Sequence, residues 1–377
     1  MNPGSSVAFK DTKKHYIILD ALRGVAALVV VLFHLLETFT FGNNHLQIIN
    51  HGYLAVDFFF VLSGFVIGYA YDDRWDKMSL GSFFKRRLIR LHPMIIAGML
   101  IGGITFFFQA SPYFPGISEI PVWKLLLVTF LGFVLVPVGP SLDIRAWNEM
   151  YPTNGPAWTL FFEYIANILY ALFIRKFSNK VLAGLALVTG AALVHLAVTR
   201  GDIIGGWALD PLQLRIGFTR LLYPFFAGLL LSRIVKPGSV KNAFLWCSIL
   251  LVTVLSVPRL GGTEHIWING LYIAVSVIVL FPLIVYMGAS GEVKGRFATK
   301  LCRFLGDISY PIYIIHYPLM YLFMAWVSKS RVSLVASLPM ALLYFVLSIV
   351  LAYVLFKIYD VPVRKWLTKK TMNRSQP

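Results

Sequence analysis

Two cysteines in 377 residues are too few for a disulfide framework or a thiolate metal site. Cys247 and Cys302 lie in or beside apolar runs, and no metal is expected. Charge is scarce too. Only 14% of the chain is charged, where a soluble domain carries about a quarter. Acids are the rarer sign: 17 Asp and Glu stand against 34 Lys and Arg, a formal charge of +17. Such an excess in a soluble chain would point to nucleic acid. Here 58% of residues are hydrophobic and mean hydropathy is +0.73, so a soluble fold is excluded and no nucleic-acid partner is expected. No polar segment exceeds loop size, so residues 1–377 read as one membrane domain with short cytoplasmic tails at 1–15 and 358–377. No cleavable signal peptide is apparent, and no internal repeat supports the paired halves of a transporter.

What is present is a series of apolar runs long enough to cross a bilayer core of roughly 30 Å. Spans are expected at 16–36, 54–71, 93–110, 157–174, 181–199, 215–234, 243–258, 266–287, 307–327 and 335–356. The fold class is therefore all-α, a polytopic transmembrane bundle. One further run, 122–138, is shorter and is broken by Gly132 and Pro137. If it does not cross, both termini are cytoplasmic and 25 Lys and Arg face inward against 7 outward, with Arg23 and Arg220 in the membrane. If it crosses, the basic loops after it face outward. The run is accordingly read as re-entrant or peripheral, which is tolerated where irregular backbone is buried in protein or lines a cavity.

Polar residues inside these spans are candidates for chemistry. The first span, Tyr16 to Leu36, holds Arg23 and His34 eleven positions apart, about three turns and roughly 16 Å along one face. They line a functional stripe, or Arg23 pairs with Asp20 and His34 is satisfied near the outer surface. Asp57, opening the second span, sits at the interface or orients an imidazole such as His34. Arg87 and Arg90, at i and i+3 before Pro93, are spaced to hold a polyphosphate or to anchor the helix at the inner surface. Glu163 lies two turns into a span, where it pairs with Arg220 or Arg23 or orients a reacting group. Ser309, Tyr313 and His316 share one face, with Tyr310 beside them, as a cavity lining or as part of an aromatic belt. His195, alone in an apolar run, reads as a packing residue.

These pieces occur in an order that resembles the acyltransferase-3 family of integral membrane acyltransferases, over nearly the whole chain. The matching elements are Arg23 and His34 with ten residues between them, GYLAVDFFFVLSGFVI, Arg87-Leu88-Ile89-Arg90, AWTLFFEY with Glu163, and ISYPIYIIHYPL. Each is weak alone; five in order are specific. Two positions depart from the pattern. Thr159 replaces a common Ser, and Tyr164 stands where a second acid is common, which puts paired carboxylates there in doubt. The resemblance implies transfer of an acyl group, acetyl in the first instance, from acetyl-CoA or another acyl-CoA to a hydroxyl of an envelope or exported glycan or lipid-linked sugar. It places the protein among membrane lipids in the bacterial inner (cytoplasmic) membrane. Some relatives carry an added hydrolase-like domain; a stand-alone membrane domain is expected here. The sequence leaves the oligomeric state open.

On this reading His34 is the base for the acceptor hydroxyl. Arg23 stabilises charge on the donor or binds it deeper, and Arg87 and Arg90 hold its phosphates. Glu163, Tyr313 and His316 line the acceptor side, with Ser309 and Tyr310 in the same substrate-binding group and Asp57 and Glu163 in the catalytic one. The alternative is a transporter of a small anion or acylated product, since intramembrane Arg, Glu and His serve an ion pathway equally well.

Overall fold

The computed structural model describes residues 13, 15–40, 43, 45–47, 49–235, 238 and 240–372. Lys10, Lys14, Lys236 and Arg374, four of the inner basic residues, lie outside them. Among the described residues there are thirteen α-helices and no strand. They are α1 (Ile17–Glu37), α2 (Ala55–Tyr71), α3 (Leu80–Thr105), α4 (Val122–Phe133), α5 (Trp158–Leu172), α6 (Asn179–Arg200) and α7 (Pro211–Ile234). After these come α8 (Ala243–Ser256), α9 (Ile266–Val275), α10 (Phe281–Ala289), α11 (Arg296–Ser330), α12 (Leu334–Leu355) and α13 (Val361–Met372). The chain is an all-α, multi-pass membrane bundle.

Eight helical segments among the described residues are long and apolar enough to cross a bilayer, α9 and α10 joining through a π turn. Two expected spans form shorter helices: α5 has 15 residues and α8 has 14, about 22 and 21 Å of rise. Helix α4, in the run that was expected not to cross, has only 12 residues, about 18 Å. Its flanks meet on one side of the bundle, because the Tyr113 and Trp147 rings lie 5.9 Å apart. The segment therefore starts and ends at the same level.

Three boundaries differ from expectation. Helix α3 starts thirteen residues before Pro93, because the Ser79 hydroxyl accepts the Ser82 N–H at 3.2 Å and caps it. Pro93 is carried inside the helix, where it forgoes one backbone bond. Helix α11 begins at Arg296 and runs 35 residues, with Pro311 and Pro318 inside it. Beyond α12 the chain does not become a loose tail. It continues through a π turn at Phe356–Asp360 into α13.

Two close crossings organise the bundle. Helix α1 packs along α11, and a Cβ at Gly24 would collide with the Leu305 backbone carbonyl. Helices α2 and α7 cross at Gly64 and Gly228, each against the other helix's backbone. Small residues at these points allow the close backbone approach on which membrane helices rely. They also bring Asp57 of α2 to Arg220 of α7 and His34 of α1 to His316 of α11.

Candidate active site

Two cavities enter the bundle from opposite ends. A narrow one of ≈ 430 Å³ is lined by Asp20 and Arg23 of α1, Arg87 and Arg90 of α3, Glu163 of α5, and Arg303 and Tyr310 of α11. A wide one of ≈ 1320 Å³ is lined by His34 and Glu37 of α1, Trp147 and Glu149, Trp158, Arg220 and Tyr317. Along α1 and α11 the earlier residues face the narrow cavity and the later ones the wide cavity; along α12 and its continuation the order is reversed. Val56 and Tyr313 line both, so the two spaces approach each other there. The Tyr313 hydroxyl lies 2.9 Å from Thr159 Oγ1 and 3.4 Å from the Pro156 carbonyl.

In the wide cavity His34 Nδ1 lies 2.7 Å from Glu37 Oε2. A carboxylate oxygen accepts, so the proton belongs on Nδ1 and Nε2 keeps its lone pair. One turn of α1 thus supplies both an imidazole base and the acid that orients it. The His34 ring also stacks on His316, centroids 5.5 Å apart, and meets Tyr317 edge-on at 4.8 Å. His316 is buried, and its Nδ1 donates to the Ile312 and Tyr313 carbonyls at 3.1 and 2.8 Å. Its Nε2 has no partner among the described residues.

On the loop before α5, Glu149 accepts from the Tyr321 hydroxyl of α11 at 2.7 and 2.9 Å, and Arg145 Nε lies 3.8 Å away. Burial pushes the Glu149 carboxyl up to about 7, against the pull of the Arg145 guanidinium. Arg145 also stacks over the Tyr321 ring at 3.5 Å and donates to Gln109 at 2.8 Å and to the Pro152 carbonyl.

The narrow cavity holds its acids in pairs. Arg23 donates to Asp20 at 3.2 Å, the pairing that the sequence offered as an alternative, and His15 Nε2 sits 2.9 Å from the same carboxylate. That bond to Asp20 raises the His15 imidazole above its ordinary pKa. Arg87 donates to Glu163 at 2.7 Å, with Ser63 on the same oxygen at 3.3 Å. Arg90 and Arg303 are exposed at the mouth and make no hydrogen bond or ion pair among the described residues.

Several expectations change. Asp57 does not reach His34: both its oxygens are taken by Arg220, at 3.2 and 2.7 Å, in a pair that is nearly fully buried. Arg220 also donates to the Gly205 and Tyr53 carbonyls, so it braces the bundle. Glu163 pairs with Arg87 rather than with Arg220 or Arg23, and it faces the narrow cavity together with Ser309 and Tyr310, whereas His34 lines the wide one. Ser309 and His316 share a stripe but stand seven residues apart, about 10 Å in depth. Periodicity gives a face and says nothing of level. Sequence reasoning missed Glu37, although its i, i+3 spacing from His34 was visible. It also passed over Glu149 and counted Arg303 and Arg364 only as inner charges.

The family model described as an acyltransferase domain matches residues 16–357. The chain belongs to the acyltransferase-3 family. It is 26% identical over 328 residues to the acyltransferase MdmB of Streptomyces mycarofaciens, covering 79% of this chain and 77% of that one. It is 23% identical over 376 residues to the peptidoglycan O-acetyltransferase OatA of Listeria monocytogenes, covering 94% of this chain and 56% of that protein. The O-acetyltransferase OatA of Staphylococcus aureus is 21% identical over 366 residues, 92% of this chain and 57% of its own length. The chain thus spans little more than half of these O-acetyltransferases. No solved structure matches it. The chain is accordingly a membrane acyltransferase, and the transporter alternative is set aside.

Proposed function

We propose that the protein transfers an acyl group, acetyl in the first instance, from cytosolic acyl-CoA to a hydroxyl of an envelope or exported glycan. The observation that carries this reading is the approach of the two cavities at Val56 and Tyr313, with the His34–Glu37 pair in the wide one. The narrow cavity fits an anionic thioester donor, since Arg90 and Arg303 stand at its mouth without an ion pair among the described residues. Bound there, acyl-CoA supplies the carbonyl carbon that the hydroxyl oxygen attacks and the C–S bond that breaks to leave the coenzyme thiol. His34 Nε2 takes the hydroxyl proton and returns it to the departing sulfur. Glu37 holds the ring in the required tautomer and stabilises its charged form, and Tyr313 faces the thioester at the junction. Arg87 and Arg23 draw the donor inward from their paired positions, and His316 holds the His34 ring by stacking. The aromatic walls of the wide cavity, Trp147, Trp158 and Tyr317, suit the apolar face of a sugar ring.

In this reading the narrow cavity opens to the cytosol, both termini are cytoplasmic, and the membrane is the bacterial inner membrane. The basic residues gathered on that side support it. The native cysteines are both buried, so single introduced cysteines report topology. Lys180→Cys should be shielded from an impermeant thiol reagent in intact cells, and Asn43→Cys should react; labelling of Lys180→Cys from outside inverts the assignment. The activity itself is tested in two ways. Purified protein given acetyl-CoA and envelope extract should release free coenzyme A. Mass spectrometry of envelope and exported glycans should show one acyl mass lost from cells without the protein. No thiol release and unchanged glycans would end the proposal.

A further inference from the structure

The family match stops at residue 357, yet the wall of the narrow cavity does not. Phe356, Asp360 and Arg364 line it, and the last two lie beyond the matched segment. They reach it because of the π turn at Phe356–Asp360. In a straight α-helix each step of four residues drifts roughly 40° around the axis, so positions i, i+4 and i+8 would fan away from one cavity. The wider turn offsets that drift and keeps all three on one stripe. Helix α13, which follows, packs against α3, the helix that carries Arg87 and Arg90.

The charges on this wall are incompletely satisfied. Arg364 donates through Nη2 to Asp360 at 2.8 Å, but its Nε and Asp360 Oδ1 are buried without partners among the described residues. Across the cavity, Arg303 of α11 and Arg90 of α3 have no hydrogen bond or ion pair among those residues. The acids nearby are already engaged: Asp20 with Arg23, Glu163 with Arg87, and Asp307 with Lys357 at 4.0 Å. Three helices therefore bring guanidinium donors to one mouth, and two of these, Arg303 and Arg90, have no ion pair among the described residues. Guanidinium forks of this kind match phosphate oxygens.

We infer that Arg303 and Arg364, with Arg90, form a three-helix phosphate clamp at the rim of the narrow cavity, so that the helix beyond the family match is part of the donor site. The inference rests on the acyl-CoA reading above and names the part of the donor that these residues hold, its phosphates, while the pantetheine arm enters the cavity. The same chemistry would suit a phosphate headgroup of an anionic lipid, and the test separates the two.

The experiment compares coenzyme A with pantetheine, the same arm without nucleotide or phosphates, by titration calorimetry on the full-length protein in detergent free of anionic lipid. Arg303→Ala leaves no broken pair behind, and Arg364→Lys keeps a cation for Asp360, so both should fold. Each should weaken coenzyme A binding about tenfold to a hundredfold and leave the Kd for pantetheine within about twofold. Lys365→Ala, exposed on the same helix and absent from the cavity wall, should change neither value. If Arg303→Ala and Arg364→Lys keep the wild-type ratio of the two affinities, the residues meet lipid or solvent and the clamp is wrong, while the donor reading stands. If the wild-type protein binds no coenzyme A at all, the donor reading fails and the clamp falls with it.

Discussion

The two cavities differ in how they hold charge. In the narrow one, carboxylates are matched mainly to guanidiniums, Asp20 to Arg23 with His15 on its other oxygen, Glu163 to Arg87 and Asp360 to Arg364, and Arg90 and Arg303 remain without an ion pair among the described residues. In the wide one, Glu37 touches an imidazole and Glu149 a phenol, groups that can share a proton, although the Arg145 guanidinium also lies 3.8 Å from Glu149. Ion pairs fix charge in place, because removing either partner strands the other. Imidazole–carboxylate and phenol–carboxylate contacts let a proton move. Under the proposed function, the narrow end binds the charged donor and the wide end carries the proton transfer, with Tyr313 lining both.

The sharpest way to break this comparison is to remove the base. His34→Ala should lower the rate of coenzyme A release with envelope acceptor by about 10²- to 10⁴-fold, the usual contribution of a positioned base. Donor binding should survive, because the narrow cavity is untouched, so added coenzyme A should still raise the thermal midpoint as in wild type. Glu37→Gln should fall between the two proteins, since the ring keeps a hydrogen-bond acceptor but loses the charge that stabilises its protonated form. Near wild-type turnover by His34→Ala would move the chemistry elsewhere in the wide cavity.

The next contrast lies within the narrow cavity. Arg87 is buried and paired, whereas Arg90 is exposed and free of partners among the described residues. Arg90→Ala should raise the KM for donor about tenfold or more with little change in kcat, as expected for binding made equally in ground and transition states. Its thermal midpoint should hold. Arg87→Ala should raise the KM too, but it also strands Glu163 and should destabilise the protein by roughly 1–3 kcal/mol. Equal thermal midpoints for the two variants would show that the Arg87–Glu163 contact carries no stability.

Much of this arrangement is legible in the amino-acid sequence. Long apolar runs locate the spans, and the expectation that 122–138 does not cross agrees with the meeting of its flanks at Tyr113 and Trp147. Helical spacing alone draws the stripe through Arg23 and His34, and both residues line cavities. Depth is not legible: one face of α11 serves the narrow cavity at Ser309 and meets His34 at His316. Partners distant in sequence are lost as well. Asp57 and Arg220 are 163 positions apart, and only the crossing at Gly64 and Gly228 brings them together. Local chemistry overrides one expectation outright, where the Ser79 cap starts α3 well before Pro93.

The smallest expected effect concerns Glu149, and it tests whether the wide cavity's acids are free to titrate. Its carboxyl is buried on the loop before α5 and pushed up to about 7. Between its ordinary value of 4.5 and about 7, the folded protein holds this proton more tightly than the unfolded chain does. Folded-state stability from this group is thus fully present below 4.5 and declines as pH rises through 7. A shift of this size corresponds to about 3 kcal/mol at most. Glu149→Gln removes the titration and keeps an oxygen for the Tyr321 hydroxyl. It leaves Arg145 with Gln109, the Pro152 carbonyl and the Tyr321 ring, so absolute stability is a poor readout and the pH slope is the right one. The thermal midpoint of the wild-type protein should fall from pH 5 to pH 8 more steeply than that of Glu149→Gln. Parallel slopes would mean that Arg145 keeps Glu149 ionised throughout, and that the wide cavity, like the narrow one, holds this acid in an ion pair.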